Sequence, residues 1–195
     1  MAVDWEPEQL SRGSKHRRRI TWRAGQRAPL LLAVLFFSAG CLSRSEVSAA
    51  LPPDQGVVVE VIDGDTVALD IGGRTERVRL LGIDAPESVH PSVPVQCFGP
   101  EASAELAALL PVNTPVRVER DHELRDRFDR LLLYVYRLAD DLFVNHWLVA
   151  NGLADTTFYE PNITHVVSLT EARSTARSGG VGLWSSCDGP DQPLE

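Results

Sequence analysis

Residues 62–87 read IDGDTVALDIGGRTERVRLLGIDAPE, and this stretch decides the fold. It sets Asp63, Asp65, Asp84 and Glu87 around one arginine, Arg79, inside strand-like apolar sequence. Residues 57–62 and 66–71 are rich in β-branched and apolar side chains, and Asp63-Gly64-Asp65 between them reads as a tight connection. Gly72-Gly73 turns the chain into a third strand, 74–83. Its alternation sends Arg77, Arg79 and Leu81 to one face and Val78, Leu80 and Gly82 to the other. Asp84-Ala85-Pro86-Glu87 ends that strand, because proline cannot continue a central ladder. A three-stranded meander therefore returns Asp84 and Glu87 to the neighbourhood of Asp65. Converging carboxylates repel by about 4 kcal/mol per pair at ~4 Å and an effective dielectric of ~20, a penalty that a bound cation removes.

Past the meander, Ser88 to Gln96 is interrupted by prolines and reads as an exposed loop beside the acids. A helix is predicted over 100–110, with Pro100 and Glu101 in its first turn and Pro111 at its end. Residues 115–120 and 130–137 read as the fourth and fifth strands, joined by the charged loop DHELRDRFD that carries Arg127 toward Arg130. Two further helices are predicted over 144–151 and 163–178, the second capped by Asn162 or Thr164. Five short strands with a helix after the third suggest an α+β fold built on a five-stranded barrel of the oligonucleotide-binding (OB) class. Tyr134 and Tyr136 read as core or rim, His90 and His165 read as surface residues, and His122 and His146 look no more like ligands.

The chain begins like a targeting segment. A basic lead containing Arg17, Arg18 and Arg19 precedes an apolar run from Ala28 to Leu42, which suits the core of a signal peptide and is short for a membrane span. Ser38-Ala39-Gly40-Cys41 resembles a lipoprotein cleavage box, with Cys41 as the residue to be lipidated, while Val47-Ser48-Ala49 offers ordinary cleavage. Membrane attachment through a Cys41 lipid or through the apolar segment itself stays open, and every one of these routes places the domain outside the cytoplasm. The organisation expected is an export signal and tether over 1–49, one folded domain over 50–187, and a tail over 188–195. Cys97 and Cys187 then remain as an even pair that export allows to form a disulfide, the alternative being two separate thiols. No Cys/His cluster has the spacing of a zinc site.

The 195 residues carry 19 basic and 27 acidic side chains; residues 1–41 hold 7 and 3 of these, which leaves 12 and 24, a balance near −12. Such acidity argues against non-specific electrostatic capture of nucleic acid, although not against a local basic site. After position 41 every basic residue is an arginine, the side chain suited to bidentate phosphate contact.

Six motifs, IDGDTV, VRLLGIDAPE, FGPEAS, RFDRLLLYVY, VNHWLVANGLA and GLWS, follow one another in an order and spacing that resembles the staphylococcal nuclease (thermonuclease) family over residues 56–186. The resemblance implies an SNase-like barrel and a calcium-dependent nuclease acting on DNA, with RNA as a second substrate. It implies low sequence preference, 3′-phosphate products and a monomer. Asp65 and Asp84 match the calcium (Ca2+) ligands, and Ala85 matches a position that contributes its backbone carbonyl. Glu87 matches the catalytic glutamate, Arg79 and Arg130 match the two catalytic arginines, and Tyr159 falls near the nucleotide-stacking tyrosines. Arg127 is expected as a further substrate contact, and Asp129 stands where the family usually has a glycine.

The chemistry asks for the same set. Hydrolysis of a phosphodiester concentrates negative charge on phosphoryl oxygens, which a hard cation and two guanidinium groups stabilise while a carboxylate handles the water. The rival readings are an inactive barrel that only binds nucleic acid and an envelope protein in which calcium merely stabilises the fold.

Overall fold

The computed structural model describes residues 54–90 and 92–194. The export signal, its cleavage sites and Cys41 lie outside the described residues. In chain order the elements are β1 (Gln55–Asp63), β2 (Thr66–Ile71), β3 (Arg74–Leu80), β4 (Ile83–Asp84), α1 (Gly99–Leu109), β5 (Pro115–Arg125), β6 (Leu131–Arg137), β7 (Leu142–Phe143), α2 (Val144–Ala150), β8 (Asp155–Thr156), α3 (Val166–Ser178) and α4 (Leu183–Ser186).

The first three strands form the expected antiparallel meander. β2 and β3 pair without interruption from Thr66 opposite Arg79 to Ile71 opposite Arg74, whereas β1 shifts register against β2 at two places. Such shifts bend a strand and increase its twist, which a small barrel needs. β1 also pairs with β5, β5 with β6, and β6 runs parallel to β3 through Val78–Leu131, Arg79–Leu132 and Leu80–Leu133. That last pairing closes five strands into a barrel, so the α+β, OB-type architecture is the one the sequence implied.

The barrel interior holds Val58, Val67, Leu69, Val78, Leu80, Val118 and Val135, all at most 5% exposed. Helix α1 adds Ala102, Leu106 and Leu109 at helical spacing, and α3 adds Leu169, Ala172 and Ala176. On the other face of β6, Leu132, Tyr134 and Tyr136 pack with Leu81 and Phe143 in a second cluster. The two tyrosines are core residues whose hydroxyls donate to Asp121 at 3.0 Å and Glu119 at 2.9 Å.

Four local expectations change. β3 ends at Leu80 rather than 83, because Leu80 and Ile83 turn their carbonyls onto the Arg79 guanidinium and draw the chain out of the ladder. Ile83 and Asp84 pair instead with Thr156 and Asp155 of β8. β5 continues to Arg125, so half of the charged segment is strand and only 126–130 is loop. α3 starts at Val166 and no side chain caps it: Thr164 donates to Asp121 and Asn162 to Glu123, docking this segment on β5. His165 is half-buried rather than a surface residue, its ring against Tyr134 and its Nε2 3.1 Å from Glu119. Among the described residues no helix is long and apolar enough to cross a membrane.

Candidate active site

Arg79 is the centre of the site. Its Nη1 donates to Leu80 O at 2.9 Å and Ile83 O at 2.8 Å, and its Nη2 reaches Asp84 Oδ1 at 2.6 Å and Asp65 Oδ2 at 3.0 Å. The side chain is only 15% exposed, so these contacts fix it. Asp65 is buried; Thr66 Oγ1 donates to its Oδ1 at 2.9 Å and Ala85 N to its Oδ2 at 3.1 Å. The Asp-Gly-Asp turn reaches Ala85 because position 64 lacks a side chain: a Cβ there would sit 2.7 Å from Ala85 Cβ.

Asp84 carries the electrostatic cost of this convergence. Partial burial pushes its carboxyl up to about 6, and although Arg79 draws it down, Asp65, Asp191 and Asp155 add to the rise. One guanidinium thus faces two carboxylates with further acids near, and the charge balance calls for another cation. The two carboxylates that meet here are hard oxygen donors of the kind calcium takes. The residues present fit that ion.

The structure brings Asp65, Asp84 and Arg79 together, but not Asp63 or the Glu87 carboxylate. Asp63 Oδ1 accepts from Gly64 N at 2.8 Å, Ser88 Oγ at 2.6 Å and Ser103 Oγ at 3.0 Å, which ties the β1–β2 turn to the following loop and to α1. Glu87 Oε1 accepts from the Val89 and His90 N–H groups at 2.9 and 2.8 Å, so this oxygen is held by its own loop. Among the described residues no three His, Cys, Asp or Glu side chains gather as a metal cluster.

Arg79 also lines a cleft of about 610 Å³ with Arg130, Arg127, Phe128 and Tyr159. Arg130 opens β6's strand direction at the end of the 126–130 loop, and Asp126 aims it: Asp126 Oδ2 accepts from Arg130 Nε at 2.7 Å and Oδ1 from Arg130 N at 2.9 Å. Burial raises the Asp126 carboxyl, but these bonds and one from Phe128 N outweigh it and hold the group below the usual carboxylate range. Asp129, where the family has a glycine, takes φ 63° and keeps the left-handed conformation the turn requires. The Arg127 guanidinium lies 4.7 Å from the Phe128 ring centre. Tyr159 is 74% exposed and Phe128 65%, so both present open aromatic faces at the cleft.

Sequence reasoning missed Asp126 and Phe128. The signal for the first was an aspartate four residues before an arginine in a turn-forming segment, and for the second an aromatic between two arginines with no apolar neighbour to pack it. Cys97 and Cys187 are joined as a disulfide.

A family model described as "Staphylococcal nuclease homologue" matches residues 77–186, which span Arg79, Glu87 and Arg130. The chain is 41% identical over 128 residues to the thermonuclease of Staphylococcus intermedius, covering 66% of this chain and 74% of that one. It is 39% identical over 129 residues to the thermonuclease of Staphylococcus hyicus, covering 66% and 75%. To the endonuclease YncB of Bacillus subtilis (strain 168) it is 35% identical over 127 residues, covering 64% and 58%. The family model over 77–186 and these relatives, on a chain that folds as a closed five-stranded barrel, mean that it belongs to the staphylococcal nuclease family.

Proposed function

We propose that this protein is an exported, calcium-dependent enzyme that cleaves DNA, and RNA as a second substrate, with little sequence preference and leaves 3′-phosphate ends. It is a hydrolytic nuclease of its family. The observation that carries the reading is the meeting of Asp65 and Asp84 on Nη2 of Arg79, at 3.0 and 2.6 Å, where Arg79 itself lines a cleft together with Arg130.

Asp65, Asp84 and the Ala85 carbonyl would hold calcium, which supplies a hard Lewis acid to the phosphoryl oxygen. Arg79 answers both acids here and, once their charge is met otherwise, is free to bind a phosphoryl oxygen. Arg130 is tethered through Nε, which leaves its terminal nitrogens to complete the clamp on the charge that develops during attack. Glu87 has Oε1 fixed by two N–H groups, and its other oxygen orients and deprotonates the attacking water. Phe128 and Tyr159 offer stacking faces that suit any base, and Arg127 a phosphate contact. The signal-like leader and the disulfide support action outside the cytoplasm.

Calorimetric titration of the full chain with calcium chloride, followed by end-group analysis of digested DNA, tests this. A saturable calcium site weakened at least about tenfold by Asp65→Asn and by Asp84→Asn, with 3′-phosphate products, is expected. Calcium-independent cleavage or 5′-phosphate products would overturn it.

A further inference from the structure

Glu87 stands at the mouth of a loop that should not hold it. Residues 88–95 read SVHPSVPV, with two prolines, and such loops move more than the elements they join. A water-orienting carboxylate tolerates little of this, since a displacement of about 1 Å costs on the order of 100-fold in rate.

The restraint comes from the far end of the chain. Gln96 grips both backbone polar groups of Glu87: Glu87 N donates to Gln96 Oε1 at 2.7 Å, and Gln96 N donates to Glu87 O at 2.8 Å. Gln96 is itself held from outside the loop. Its Nε2 donates to Asp191 Oδ1 at 3.3 Å, and it bridges antiparallel to Pro193. On either side, Cys97 N donates to Gln192 O at 2.8 Å and Leu194 N to Val95 O at 3.0 Å. Residues 192–194 thus lie along 95–97 through a single antiparallel bridge, and 188–191 turn the chain toward it from Cys187. This segment reads DGPDQPL and has little apolar surface to bury, so hydrogen bonds alone would let it fray. The Cys97–Cys187 disulfide joins its root directly to the segment it pairs with, which makes the pairing intramolecular over a very short tether.

We propose that residues 188–194, fastened by the Cys97–Cys187 disulfide, form a strap that positions Glu87, and that Gln96 is the positioning residue through which the strap acts. The functional half of this rests on the assignment of Glu87 to the attacking water. Gln96 separates its two tasks by atom: the side-chain oxygen holds Glu87, and the side-chain nitrogen reads the strap. The double substitution Gln96→Glu, Asp191→Asn reverses donor and acceptor across the strap contact while an oxygen remains for Glu87 N–H.

The full chain, Gln96→Ala, a variant ending at Cys187, and the double substitution are compared by cleavage kinetics, thermal midpoint and amide hydrogen exchange at Glu87. Gln96→Ala and the shortened chain are expected to lose about 10- to 100-fold in kcat, with KM changed by less than about twofold. Exchange at the Glu87 amide should accelerate in both, while the midpoint stays above the assay temperature. The double substitution should recover kcat to within about threefold of the parent. Unchanged kcat and unchanged exchange in the shortened chain would overturn the proposal, as would a loss of activity that only tracks the unfolded fraction. If the parent cleaves nothing, the nuclease assignment fails on its own. Exchange at Glu87 then still decides the strap, faster after shortening if it holds the loop and unchanged if it does not.

Discussion

Arg79 shows how one side chain serves fold and site together. It donates to two carbonyls of its own turn through Nη1 and meets two carboxylates through Nη2, so Arg79→Ala removes a structural tie and leaves Asp65 buried without its counter-charge. The expected cost is roughly 3 kcal/mol of stability and a factor of about 10² to 10³ in rate. Saturating calcium should recover much of the stability and none of the rate, which denaturant titration and kinetics with and without the ion would separate. Asp126→Asn makes a different cut, keeping a carbonyl oxygen for the N–H groups of Phe128 and Arg130 while losing the charge on Arg130 Nε. The native Asp126 carboxyl titrates below its unfolded value, so its contribution is complete above the ordinary carboxylate pKa of about 3.9 and is lost as pH falls through the lower native one. The substitution should flatten the acid side of the stability curve below about pH 4 and lower the rate about tenfold. Midpoints measured across that range, beside rates at neutral pH, check both. At this scale the sequence was legible where spacing and type coincide, as for Asp65, Asp84 and Arg79. It misled at Asp63, since an aspartate beside a glycine looks the same whether it faces a cation or, as here, two serine hydroxyls.

At the level of elements, runs of β-branched and apolar residues marked β1, β2 and β6, and alternation marked β3, because both patterns are local consequences of burial. The extension of β5 through Asp121–Arg125 had no such mark. DHELR lacks an apolar alternation, and its extended form is held by Asn162 and Thr164, some forty residues away. The same contacts explain why α3 begins late and why His165 is half-buried. The approach of α1 to the loop at Glu87 is equally close: a Cβ at Gly99 would sit 2.4 Å from Glu87 O and 3.0 Å from Pro86 O, both backbone atoms. Gly99→Ala must therefore push the Glu87 peptide or the start of α1. A stability loss of about 1–3 kcal/mol and a fall in kcat larger than any change in KM are expected, measured by thermal unfolding and steady-state kinetics.

Across the whole molecule, closure depends on the parallel contact of β3 with β6, a pairing between distant segments that no local pattern announces. The resemblance of six ordered motifs supplied it. Global charge pointed the other way, toward a surface that repels nucleic acid, and the cleft answers this by collecting four arginines, Arg79, Arg125, Arg127 and Arg130, among its lining residues against two acids, Glu123 and Asp126. On the proposed reading, a nuclease this acidic relies on that local cluster and on a cation at Asp65 and Asp84. The most direct test is digestion of single-stranded and plasmid DNA by the full chain, with calcium and with a chelator, beside Arg79→Ala and Glu87→Ala. Calcium-dependent cleavage that each substitution lowers at least about 100-fold in folded protein is the predicted result; a folded, calcium-bound parent that cuts neither substrate would contradict it.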